Sequence, residues 1–198
     1  MNRFRMTVTA VLIVLLAAPV LGAGPGSVQK RIQKAYENLK DIQGEFRQES
    51  RIKELDETRE ASGRFYIRWP GRLRWDYVDP SRQTVVIMGE EMYVRQEGEK
   101  EVMQGRFDSE SYGQTPMSLL AGLADMERDF IVKPSGPTSL LLIPRKSMGT
   151  VQSIRIGTSA SSFPVESIQL VDVYGNVNTF NLVNVRMNKG LGDEIFVP

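Results

Sequence analysis

Between residues 62 and 77 the chain alternates apolar and polar side chains twice, on either side of a Trp69-Pro70-Gly71 break. In the first run Phe65, Ile67 and Trp69 share one side of a pleated strand, and Arg64, Tyr66 and Arg68 share the other. In the second run Leu73, Trp75 and Tyr77 oppose Arg72, Arg74 and Asp76. Proline presets φ and glycine accepts the left-handed value of a tight turn, so the break predicts a hairpin. Its outer face is charged, and its inner face holds both tryptophans of the chain.

The pattern before the hairpin is helical. Val28, Ile32, Ala35, Tyr36 and Leu39 fall on one face of a helix predicted over residues 27–40, with Ser27 as its N-cap. The period then becomes two. Residues 44–54 read as a long, mostly polar strand, 55–60 as a charged connection, and Asp79-Pro80-Ser81 as a turn. Strands are predicted over 83–88, 92–96 and 101–106. Hairpin-length loops make this an antiparallel meander.

Residues 114–126 interrupt it with a nearly all-apolar helix carrying Met117, Leu119, Leu120, Leu123 and Met126, with Pro116 in its first turn. Such a segment is either a core element or a movable apolar flap. Strands resume over 130–133, 139–144, 151–157, 164–174 and 177–186, with a turn at Tyr174-Gly175-Asn176 where positive φ is expected at Gly175 and Asn176. Residues 195–197 suggest a last short strand. The sum is about ten strands and two principal helices in a mainly β chain.

Charge and targeting signals change what this chain can be. Arg3 and Arg5 precede an apolar run of about a dozen residues interrupted by Pro19, and small residues follow at 22–24. A spanning helix needs about 20 apolar residues, so residues 1–22 read as a cleaved signal peptide and 23–198 as one exported domain. Cleavage takes Lys+Arg from 25 to 23 against 24 Asp+Glu, a net charge of −1 with no general attraction for nucleic acid. Cysteine is absent, which excludes disulfides and lipid attachment at the cleavage site.

Catalytic constellations are missing. There is no histidine for acid–base work or a zinc site, and no thiol nucleophile. Ser118 has no lysine three residues on, no serine lies in a G-x-S-x-G elbow, and no glycine-rich phosphate loop occurs. The carboxylates at 54–57 and 90–91 read as solvated turns. No enzyme, cofactor or metal is expected.

What remains is an apolar sheet face of Phe65, Ile67, Trp69, Leu73, Trp75 and Tyr77, extended by Val85, Ile87, Met92 and Val94. Burying each large side chain is worth about 1.5–3 kcal/mol, so that face must be covered. A closed, filled barrel would do this. A strongly curved sheet capped by helices over an apolar hollow would also do it, and would leave a site for an apolar ligand.

The order of segments resembles a known family. It comprises G-x-F-x-I-x-x-P-G-R-L-R-W-x-Y over residues 63–77, V-V-I-x-G ending at Gly89, and M-Y-V at 92–94. P-M-S-L-L at 116–120, L-L-L-I-P at 140–144 and L-V-D-V-Y-G-N at 170–176 follow. These are similar to the periplasmic outer-membrane lipoprotein carrier proteins of the Lol pathway. The resemblance implies an unclosed antiparallel β-barrel with an α-helical lid. It implies a monomeric periplasmic chaperone that takes acylated lipoproteins from an inner-membrane ABC transporter to an outer-membrane receptor.

The acyl-chain site is then expected at Phe65, Ile67, Trp69, Leu73, Trp75, Tyr77, Val85, Ile87 and Met92, under a lid bearing Leu119, Leu120 and Leu123. A lipid- or lipoprotein-sensing module of the same fold is the alternative, and a hydrolase using Asp and Glu a third reading. Family members commonly have an arginine before the proline, where Trp69 stands. Lid closure is therefore expected to rest on aromatic contact rather than a hydrogen-bonded latch. The longer C-terminal segment of some members is expected to be absent.

Overall fold

The structure, a computed structural model, describes residues 25–107 and 116–198. The expected signal peptide and the first residues of the second expected helix lie outside these. The chain opens with α1 (Pro25–Tyr36), followed by β1 (Asp41–Ile52), β2 (Glu57–Arg68), β3 (Arg72–Asp79), β4 (Gln83–Met88), β5 (Glu91–Gln96) and β6 (Met103–Arg106). Two short helical pieces, α2 (Leu119–Gly122) and α3 (Met126–Asp129), come next, with 3₁₀ turns at Pro116–Ser118 and Leu123–Asp125. The strands β7 (Phe130–Pro134), β8 (Ser139–Pro144), β9 (Val151–Thr158), β10 (Val165–Asp172) and β11 (Val177–Met187) complete the chain.

All eleven strands form one sheet in the order β6-β5-β4-β3-β2-β1-β11-β10-β9-β8-β7. Every pairing is antiparallel, and β6 and β7 stand at opposite ends without pairing to each other. The barrel is unclosed. The lid segment, residues 116–129, lies along the chain between the two edge strands β6 and β7.

Several expectations are corrected at the edges. The first helix starts before Ser27 and ends at Tyr36. The connection expected over 55–60 is mostly strand, because β2 extends back to Glu57 and pairs with the whole of β1. The second helix is broken into α2, α3 and 3₁₀ turns, with Gly122 joining two of the pieces. Glycine in a helix interior costs about 1 kcal/mol relative to alanine, and this short segment has no second turn to absorb that cost.

Residues 195–197 form no strand and lie within or beside a 3₁₀ turn over Asp193–Phe196. At the β10–β11 turn only Gly175 has positive φ, at 82°. There Asp172 Oδ1 accepts from the backbone N–H groups of Tyr174 (2.9 Å) and Asn176 (2.8 Å). Asn176 spends its side chain on Asp172 (2.9 Å) and on the Lys53 N–H (3.0 Å).

The tight turn after Trp69 is as expected, with Gly71 at φ 65°. Gly63 serves a different need. It lies between Phe46 on β1 and Tyr77 on β3, at a register shift. A Cβ there would overlap the Asp76 carbonyl oxygen and sit 2.8 Å from Phe46 Cζ. Its absence lets the Phe46 and Tyr77 rings meet edge to face, with centroids 5.3 Å apart.

The convex side has its own covering. Residues 188–198 cross it as a strap that buries Val86, Leu191 and Phe196 beside Tyr66, Met88 and Tyr93. Asp41, itself buried, anchors the start by accepting from the N–H groups of Lys189 (2.7 Å) and Gly190 (2.9 Å). The outward arginines do the rest. Arg68 donates to the Leu191 carbonyl (2.8 Å), pairs with Asp193 and lies 5.4 Å from the Phe196 ring centre. Arg72 also pairs with Asp193 at 3.0 Å, Arg74 donates to the Ile195 carbonyl (2.9 Å), and Arg95 donates to Pro198 (3.0 Å).

Candidate functional site

Strand pairing sets the inner face of the half-barrel. Antiparallel register puts Ile42, Ile67, Leu73, Ile87 and Met92 opposite one another across five strands. The neighbouring row is Gly44, Phe65, Trp75, Val85 and Val94. Side chains directly opposite one another lie close enough to pack, so each row is a continuous apolar rib. Gly44 belongs to its row for a steric reason: a Cβ there would come 3.0 Å from the Phe65 ring.

Of the nine residues expected to line the interior, six are buried: Phe65, Ile67, Leu73, Trp75, Val85 and Ile87. Trp69, Tyr77 and Met92 are half-buried and pack against the same cluster. The lid residues Leu119, Leu120 and Leu123 are buried in that cluster too, with Met117 and Met126. Sheet face and lid are thus brought together. The lid side chains pack against the sheet's apolar face, and Trp75 is left only 3% exposed.

Alternation also marks the other half of the interior, which the sequence reading treated only as strands. Leu140 and Leu142, Ile154 and Ile156, Ile168 and Leu170, and Phe180 are all buried in the same cluster. Their period-two spacing is the same signal that identified the first half. The Phe46 and Phe180 rings, 5.7 Å apart, join the halves where β1 pairs with β11.

Two side-chain hydrogen bonds reach the α2 part of the lid from α1 and the hairpin, and Arg145 donates to the Glu127 carbonyl of α3 at 3.1 Å. The Trp69 indole Nε1–H donates to the Ala121 carbonyl at 3.0 Å, and the Tyr36 hydroxyl donates to the Leu120 carbonyl at 2.8 Å. The two rings meet edge to face at 5.6 Å. This corrects the expectation of aromatic contact alone: Trp69 donates a hydrogen bond to the lid and also makes a ring contact with Tyr36. A signal for it existed, since a partly buried indole N–H normally finds an acceptor. The acceptor itself is a backbone carbonyl, which no side-chain pattern marks.

Burial pushes the Tyr36 phenol well above its ordinary range and raises Tyr77 to about 12. Both phenols therefore stay neutral, and Tyr36 remains a donor to the lid. Among the described residues no group of His, Cys, Asp and Glu is placed to hold a metal ion. Nor is any described helix long and apolar enough to cross a membrane.

An open antiparallel half-barrel, with an apolar concave face and a helical segment folded against it, defines a lidded half-barrel protein. The family profile described as "Outer membrane lipoprotein carrier protein LolA" matches residues 37–198, and the chain belongs to that family. Its relatives include the outer-membrane lipoprotein carrier protein of Nitrosomonas europaea, 29% identical over 188 residues, covering 93% of this chain and 88% of the relative. The Methylococcus capsulatus carrier protein is 27% identical over 173 residues, covering 85% and 81%. Among solved structures, a LolA superfamily protein of Nitrosomonas europaea shares the fold with a TM-score of 0.52 at 12% identity, covering 88% of this chain and 97% of that one.

Proposed function

We propose that this protein is a periplasmic lipoprotein carrier that works by exchanging its own lid side chains for the acyl chains of its cargo. One observation carries this. Five lid side chains, Met117, Leu119, Leu120, Leu123 and Met126, are buried against the sheet's apolar face. Yet the lid is broken into short helical pieces, and its α2 piece is joined to the Trp69 indole and the Tyr36 hydroxyl through backbone carbonyls.

The magnitudes match. Five such side chains are worth about 8–15 kcal/mol of burial at about 1.5–3 each, and a 16-carbon acyl chain about 13 kcal/mol at about 0.8 per methylene. Exchange of the lid for one acyl chain is then close to balanced, as a carrier that must both load and unload requires. Phe65, Ile67, Trp69, Leu73, Trp75, Tyr77, Val85, Ile87 and Met92 line the acyl site in this reading. No reaction is catalysed. Cargo comes from an inner-membrane ABC transporter and passes to an outer-membrane receptor, and the mature domain follows a signal peptide removed after residue 22.

The test uses the indole at the centre of the site. A triacylated lipopeptide with bromine on its acyl chains should quench Trp75 fluorescence in a Trp69→Phe background, where Trp75 is the sole tryptophan. Saturable binding with no quenching of Trp75 would place the acyl chains elsewhere and end this reading.

A further inference from the structure

Outside the interior, a hollow of about 370 Å³ lies beside α1, walled by the helix, the β9–β10 loop and the end of β11. That volume is in the range of pockets that hold small ligands and short segments. Its floor is apolar, with Ala35, Leu39, Pro164 and Met187, and its cationic wall is Arg31 and Lys34. No acidic residue lines it. This departs from the rest of a chain whose charges nearly cancel.

Arg31 is unusual within it. Its Nη2 donates to Thr158 Oγ1 at 2.6 Å, and that hydroxyl in turn donates to the Thr138 carbonyl at 2.7 Å. Its Nε–H is buried and meets no acceptor among the described residues. Neither Arg31 nor Lys34 forms an ion pair among the described residues. A guanidinium presents five donors in a planar fork suited to a carboxylate, and a buried donor left unpaired costs free energy.

We infer that this hollow is a docking site for an acidic peptide segment of a partner protein, with a carboxylate on Arg31 and Lys34 and an adjacent aliphatic side chain on the apolar floor. Charge complementarity selects the acid. The exposed hydroxyl of Ser162 on the rim offers a hydrogen bond to a peptide group, which a hydrocarbon chain could not use, while the Ser161 hydroxyl is engaged with the Phe163 carbonyl and Ser159. The site lies outside the acyl interior and does not depend on acyl binding.

The probe is acetyl-Leu-Glu-Leu amide titrated into the ¹⁵N-labelled mature protein, with acetyl-Leu-Gln-Leu amide as its neutral counterpart. The Arg31 Nε–H signal and the amides of Ser161, Ser162 and Asn188 should move together with the acidic peptide. The neutral peptide should bind about tenfold more weakly. Lys34→Gln, at an exposed side chain, should weaken the acidic peptide by up to about fivefold without altering the fold. Added salt should weaken it as well. Absence of these shifts at millimolar peptide, or equal binding of the two peptides, overturns the assignment. Movement of the same signals with laurate but not with the acidic peptide would make the hollow a lipid headgroup site and also overturn it. Trp75 quenching by the brominated lipopeptide, measured in Lys34→Gln, reports separately on the interior.

Discussion

Replacing Trp69 by phenylalanine isolates the latch from the packing. Phenylalanine keeps an aromatic ring for Tyr36 to meet but removes the indole N–H that reaches the Ala121 carbonyl at 3.0 Å. A net intramolecular hydrogen bond is worth about 1 kcal/mol, and about 1.4 kcal/mol is a factor of ten, so the open-to-closed ratio of the lid should rise about fivefold. Loss of part of the ring's contact area adds in the same direction. Hydrogen exchange of the amides over residues 119–125 is the assay. Their protection should fall about fivefold while amides in the β1–β11 and β1–β2 ladders change only by any loss in global stability. Uptake of the brominated lipopeptide should accelerate in parallel. Tyr36→Phe, which deletes only the hydroxyl bonded to the Leu120 carbonyl, should act similarly. If lid protection in Trp69→Phe drops no more than ladder protection, the indole is ordinary packing and the latch does not exist.

Three further predictions concern the frame that carries the lid. Gly63→Ala forces a Cβ into the Asp76 backbone and the Phe46 ring, so it should lower stability by about 1–3 kcal/mol; an unchanged denaturation midpoint would show that the sheet yields there at no cost. Burial raises Tyr77 from its ordinary value of 10.0 to about 12, so its contribution is complete below pH 10.0 and is lost as pH rises through about 12. Two units correspond to about 2–3 kcal/mol. Denaturation midpoints in that window should fall less steeply in Tyr77→Phe, and parallel slopes would refute the assignment.

Arg68 first, and then Arg72, hold the Asp193 carboxyl below its usual range. The strap contact they form is therefore present above the ordinary value of 3.8 and weakens as pH falls below it. Amide shifts over residues 191–198 should track that loss in acid, and Asp193→Asn should abolish the titration; movement unchanged in that variant would assign it to another group.

The inner face of β2–β4 was legible because alternation has a period of two and a single register error would turn Leu73 and Trp75 outward. Breaks in the chain were legible where backbone stereochemistry leaves little choice, as at Gly71. Helix limits were not, because short helical pieces such as α2 and α3 draw their stability from the surface they cover rather than from their own residues. The outward arginines read only as a charged outer face, and the structure sets Arg68, Arg72 and Arg74 against the C-terminal strap. Val86, on the outer face by parity, is fully buried for the same reason.

By itself the sequence determined a β-rich chain with one apolar sheet face in need of cover, because side-chain alternation is a local property that needs no knowledge of neighbours. Only the tertiary structure decided how the cover is fastened. The Trp69–Ala121 and Tyr36–Leu120 bonds join groups 52 and 84 residues apart, and their acceptors are backbone carbonyls that every residue carries. A hydrogen bond to a group common to all residues leaves no mark on side-chain spacing, so it becomes visible only when the chain has folded.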